Sequence, residues 1–413
     1  METKKWLRIA IFNLAIVAGI GTVMRYKIGF EFPYFDQKYL QHAHSHFAFN
    51  AWLSHTIYVL MLYTMSHVPA ARQKLYNRLI GVNLVLSYGM LISFLIQGYG
   101  VISIVLSTTA IFISYIFAAL LYKDISAMSA ENQSRQWFKA ALLYNVLSSI
   151  GSFALAYLMM TRHLELKYYL ASLYFFLHFQ YNGFFTFACF GLFFAGVKQI
   201  LPSFVYHRSV FYLLFAACVP AYFLSTLWAD IPLVIYLSAI VAAAMQVFAW
   251  GWLLQSLRNS FASKTEVYNR ARYLLTVIAI ALSIKFLLQL GSTVPIISKL
   301  AFGFRPIVIA YLHLILLGII SVFLLAFIYQ FRIIQFNRSA SIGFVVLLIG
   351  VYLNEIVLAV QGIASFSYTP IPKVNLMLLI LAAVMFIGAL ILVLSIRRNK
   401  GSDEVLTGTG PFS

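Results

Sequence analysis

The chain has 413 residues, of which 62% are hydrophobic and only 10% charged, with a net charge of +18 and a mean hydropathy of +0.89. A soluble domain carries about 25% charged residues, so this composition excludes a soluble globular fold and marks a polytopic membrane protein. The basic residues fall between apolar runs, where they set orientation rather than bind nucleic acid, and Cys189 and Cys218 both sit inside apolar runs, which excludes a disulfide framework or a CxxC site.

About twelve apolar runs reach the ~20 residues needed to cross ~30 Å of hydrocarbon. They cover 6–24, 42–66, 77–97, 100–122, 137–160, 169–197, 208–227, 232–256, 269–290, 307–331, 340–364 and 374–396. The first has a basic start but no A-x-A-like cleavage site, so it reads as a retained helix. Runs of this length are too long for barrel strands, and backbone polar groups in lipid must be satisfied within the segment, so all are expected to be helices. With both termini inside, 20 Lys and Arg lie on the inner side and 8 on the outer side. That asymmetry predicts an inner (cytoplasmic) membrane protein with both ends cytoplasmic. The expected fold class is all-α integral membrane, with one polytopic domain over 1–400 and a disordered cytoplasmic tail over 401–413.

The second run opens with QHAHSHFAFNAWLSHTIY, which holds four of the nine histidines of the chain, His42, His44, His46 and His55. Histidine inside an apolar span is costly unless it binds something. The stretch also echoes itself: HFAFNAW from His46, HFQYNGF from His178 and, more weakly, HLILLGI from His313. The offsets of 132 and 135 residues are nearly equal, which suggests an internal repeat. The three histidines fall on the second, sixth and tenth runs, each entered from the outside, so the expected architecture is three pseudo-repeats of four helices.

His42 and His46 are four apart on one helical face, which Asn50 continues, whereas His44 points elsewhere. His55, nine residues from His46, lies about 180° around the wheel and reads as a hydrogen-bonded core histidine. His46 and His178, with Asn182 four residues on, read as metal or haem-iron ligands. His313 reads the same way on a weaker motif. His42 and His44 are either additional metal ligands or polar residues at the water interface, and His67, His163 and His207 sit at loops with no special claim. Lys285 either snorkels to the surface or pairs inside. Glu355, preceded by Asn354, must be paired or protonated, with Lys285 its expected partner. Arg305, just before Pro306, either anchors the interface or meets an anionic group.

About twelve helices in three sets of four, with histidines on the second, sixth and tenth, resemble subunit I of the haem–copper oxidase superfamily. That superfamily includes nitric oxide reductases and membrane haem proteins of the nitric-oxide response. The resemblance implies that His46 and His313 are axial ligands of a haem, that His178 is a copper ligand, and that Arg305 meets a haem propionate. The oxidase pattern His-Pro-Glu-Val-Tyr is here His178-Phe179-Gln180-Tyr181-Asn182, the seventh run has no histidine pair, and the tenth has one histidine where oxidases have two. The resemblance is therefore to a divergent member nearer the nitric-oxide-response type, which binds haem and allows copper but lacks a complete oxygen-reducing centre. Its partners would be membrane lipid and an electron-transfer partner or other membrane subunits, with no nucleic acid. Two alternatives stay open: a proton-coupled or metal transporter using intramembrane His, Glu and Lys, and a structural subunit of a respiratory complex.

Overall fold

The structure is a computed structural model that describes residues 2–65, 68–162, 165–262 and 269–397. The expected tail over 401–413, together with His67 and His163, lies outside the described residues. Among those residues there is no strand, and each expected apolar run falls on a helical element. We number these elements α1 (Thr3–Gly29), α2 (Gln37–Phe47 continuing through Ala48–Ser54 to His55–Tyr63), α3 (Ala70–Gln97), α4 (Val101–Ser126), α5 (Ser134–Met160) and α6 (Leu166–Ile200). There follow α7 (Arg208–Cys218 with Pro220–Thr226), α8 (Leu233–Ala262), α9 (Asn269–Gly291), α10 (Arg305–Gln330), α11 (Arg338–Phe366) and α12 (Val374–Arg397). A short helix, Pro295–Gly303, precedes α10.

Ten of these helices are long and apolar enough to cross a membrane, or eleven if bent α7 is one span. The chain is thus multi-pass. The element that falls short is α2, whose histidines and asparagine lower its hydropathy. The second expected run also began late. Asp36 caps α2 by accepting from the Lys38 and Tyr39 amides, so the helix starts at Gln37 rather than 42. In α7 the missing N–H of Pro220 breaks the α-helix into a 3-10 segment bent by 45°.

The chain divides into two compact units, residues 1–121 with 324–413, and residues 122–323. In the first, α11 and α12 pack most closely. A Cβ on Gly343 would lie 2.7 Å from the Leu392 amide nitrogen and one on Gly388 2.6 Å from that of Leu347, so only glycine permits this approach. In the second, α5 and α6 are tied by Gln180, whose amide donates to Asn145 Oδ1 (3.0 Å) and Ser148 Oγ (2.7 Å).

Three helices widen into π-helix, and each does so within two residues after an echoed histidine. The segments are Ala48–Ser54 after His46, Phe179–Phe185 after His178, and Leu314–Ser321 after His313. A wide turn shifts the hydrogen-bond register, so carbonyls near it need other donors. In the second unit the donors are hydroxyls five residues on: Thr186 Oγ1 bonds the Tyr181 carbonyl (2.6 Å) and Ser321 Oγ that of Leu316 (2.7 Å). In the first unit they are amides: Asn50 to the His46 carbonyl (3.1 Å), Asn83 to Asn50 (3.4 Å) and Asn13 to Ala51 (2.8 Å). Asn13 is itself held by the Tyr88 hydroxyl at 2.7 Å. π-Bulges of this kind occur frequently at functional sites.

Candidate functional site

In the first unit, His46 is half-buried, with its ring stacked on Phe94 at 4.3 Å between centroids and its Nε2 2.9 Å from the Tyr99 hydroxyl. His42 meets the same tyrosine edge-on at 4.5 Å. The shared face expected for His42, His46 and Asn50 is therefore present, and His44 points elsewhere, toward Gly21 of α1. His55 is fully buried and donates from Nε2 to the Trp6 carbonyl at 3.1 Å, the hydrogen-bonded core histidine its wheel position indicates. Glu355 is buried, accepts from the Asn354 amide at 3.3 Å, and has Arg25 of α1 as the cation in its electrostatic field. Arg25 is the cation of this unit whose field reaches Glu355. It went unseen because a residue near the C-terminal end of α1 reads as loop charge.

In the second unit, His178 is completely buried and both ring nitrogens are engaged. Nε2 donates to the Cys218 carbonyl at 2.8 Å, and Nδ1 accepts from the Asn182 amide at 3.1 Å. The cause lies in the break of α7. Tyr222 N–H, which would bond Cys218 in a continuous α-helix, bonds the Val219 carbonyl instead (3.1 Å). The carbonyl so released inside an apolar protein must find a donor, and His178 supplies it. The neighbouring Phe215 carbonyl accepts from the Tyr144 hydroxyl at 2.8 Å.

His313 is set differently. Its Nδ1 lies 2.9 Å from the Ile309 carbonyl one turn back, so Nδ1 carries the proton and Nε2 is the acceptor nitrogen. That is the tautomer metal-ligating histidines adopt, with the other ring N–H held by a backbone carbonyl. The N-terminal half of α10, Arg305–His313, has no buried residue, and Arg305 is exposed at its first position. Tyr311 of this helix meets Tyr181 of α6 edge-on at 6.3 Å, so the second and third echoes are neighbours within this unit. Lys285 does not snorkel. It is 2% exposed, its Nζ lies 4.1 Å from the Phe286 ring centroid, and its electrostatic neighbours are Cys218 and His178.

His46, His178 and His313 lie nine, twelve and eight residues after the first residues of their helices, Gln37, Leu166 and Arg305. At 1.5 Å per residue those are distances of about 12 to 18 Å along each helix. The hydroxyl eight residues past each histidine, at Ser54, Thr186 and Ser321, was legible in the sequence but becomes meaningful only beside the wide turns.

Among the described residues, no group of three His, Cys, Asp or Glu side chains is placed to hold a metal ion. With both nitrogens of His178 bonded, these residues do not fit a copper there. His313, with its Nδ1 proton fixed, fits haem iron. The chain matches no protein-family model and no curated protein.

Proposed function

We propose that this is a haem-binding, gas-responsive membrane protein allied to the haem–copper oxidase superfamily and without an oxygen-reducing centre. Twelve helices in three sets of four would lie in the cytoplasmic membrane with both ends inside. Support for the repeat is the recurrence of one unit, a histidine, a wide turn and a hydroxyl at the eighth position, on α2, α6 and α10. The observation that carries the haem reading is the orientation of His313, whose Nδ1–H is held by the Ile309 carbonyl one turn back. His313 would hold the iron and Arg305 would meet a propionate. A haem on one proximal imidazole supplies an iron position for a diatomic gas. The chain's own contribution is to orient the ring and fix its proton.

The test is a reduced-minus-oxidised visible spectrum of full-length protein made under haem-replete conditions. A Soret band that shifts with nitric oxide and disappears in His313→Ala is expected. Absence of the band, or its survival in His313→Ala, would overturn the assignment. With a chemically reduced donor, no oxygen consumption above a haem-only control is expected.

The second reading is transport of protons or a small ion. It is favoured by buried polar groups in the second unit: Lys285 and Gln289 lie four apart on α9 and are 2% and 5% exposed. Gln289 Oε1, Gln246 Oε1 and Asn182 Oδ1 are buried without a hydrogen-bond partner. Polar groups of this kind inside a membrane protein often mark ion or proton paths. Proton flux through proteoliposomes that is lost in Lys285→Met, with no Soret band in the parent protein, would select this reading.

A further inference from the structure

The outer end of α2 gathers side chains that the haem reading does not use. His42 and His46 stand four apart on one helical face, and both border the same two aromatic rings. His46 stacks on Phe94 at 4.3 Å and His42 lies 6.1 Å from it, while both meet Tyr99 edge-on, at 5.8 and 4.5 Å. Tyr99 is delivered by the turn between α3 and α4, and that turn is rigid. Gly98 sits at φ +59°, where a Cβ would also strike the Tyr39 ring, so only glycine serves there. The Ser103 hydroxyl then ties the turn, donating to the Gly98 carbonyl (2.6 Å) and accepting from the Gly100 amide (3.0 Å). The cluster reaches the protein surface, since Tyr99 is 43% exposed and both histidines are half-buried.

We propose that His42, His46 and Tyr99 form a binding site for a divalent first-row transition-metal cation entering from the outer face. The His46 Nε2 to Tyr99 oxygen separation is 2.9 Å. Two neighbouring donors at right angles, each about 2.0–2.1 Å from one ion, stand about 2.9 Å apart, so a metal replaces the hydrogen bond with little movement. Two imidazoles and a phenol select copper(II) or zinc over magnesium or calcium, which take oxygen ligands. Binding exchanges the phenol proton for the metal: the O–H bond breaks, the oxygen–metal bond forms, and the proton leaves to solvent without redox change. Pre-positioning on a helix and a fixed turn lowers the entropy cost of gathering the donors.

The site is independent of His313, so it is tested separately from the haem. Metal-stripped full-length protein in detergent is titrated with copper(II), with zinc as competitor. One copper per chain is expected, with nitrogen hyperfine structure in its paramagnetic resonance spectrum and a phenolate-to-copper absorption band. His42→Ala and His46→Ala should each weaken binding at least about tenfold, and His44→Ala should not. Tyr99→Phe should abolish the phenolate band while keeping weaker binding. Copper binding unchanged in both His42→Ala and His46→Ala, or no binding near stoichiometric concentration, would overturn the site. Retained helical circular dichroism in each variant excludes misfolding as the cause.

Discussion

His178 and His313 stand at the same place in the echo, each just before a wide turn, and the two turns are neighbours in one unit. Yet they are set for opposite work. His178 is enclosed and uses both nitrogens, one on the carbonyl released by the break at Pro220 and one on Asn182. His313 bonds through Nδ1 to its own helix, along a stretch with no buried residue. Equivalent positions in the echo share a local backbone geometry but not duties. The duty is decided by what the adjacent helix needs: α7 needs a donor beside α6, and His178 became that donor.

The comparison breaks most sharply at the cofactor. His313→Ala should lose all haem absorbance, and added imidazole should restore it to His313→Gly, whereas His178→Ala should keep the band. The opposite pattern in difference spectra would exchange the roles of the two histidines.

The next effect is on stability. His178→Ala leaves the buried Cys218 carbonyl without its donor and should destabilise the protein by about 1–3 kcal/mol. Thermal unfolding in detergent checks this, and His313→Ala, compared in haem-free protein, should cost clearly less. If both cost the same, His178 is not pinning the α7 break.

The smallest expected effects probe the shared part of the echo. Thr186→Val and Ser321→Ala each remove the hydroxyl that answers a wide-turn carbonyl. Side-chain hydrogen bonds in membrane proteins average about 0.6 kcal/mol, so each variant should lose about that much. Equal losses would sharpen the view that the two turns are built alike. A loss confined to one would show that they are not. In the first unit, Tyr88→Phe, which frees Asn13 from its anchor, should cost a similar amount in the same assay.

Much of this fold was legible because lipid imposes a simple rule. Long apolar runs must be helices, and each expected run falls on one. The divergences have local causes. α2 began early because Asp36 caps it, and α7 broke because Pro220 cannot donate. At the candidate sites, the spacing of His42 and His46 gave their common face, and the position of His55 gave its core role. The bonds of His178 were not readable, because its partner carbonyl is 40 residues away on another helix. Tyr99 and Arg25 were missed for the same reason: each reads locally as loop or interface, and only packing brings them to His46 and Glu355.

By itself, then, the sequence determined a multi-pass helical protein and singled out three histidines in register, since hydropathy and residue spacing are properties of the chain. The tertiary structure alone decided which nitrogen of each histidine is committed and to what. It also decided that Lys285 is buried rather than snorkelling, and how each widened helix has its carbonyls answered. For His46, His178 and the carbonyls answered by Asn13 and Asn83, those outcomes depend on groups supplied by other elements. A buried polar group takes whatever partner the packing presents, and no local pattern in the chain encodes that choice.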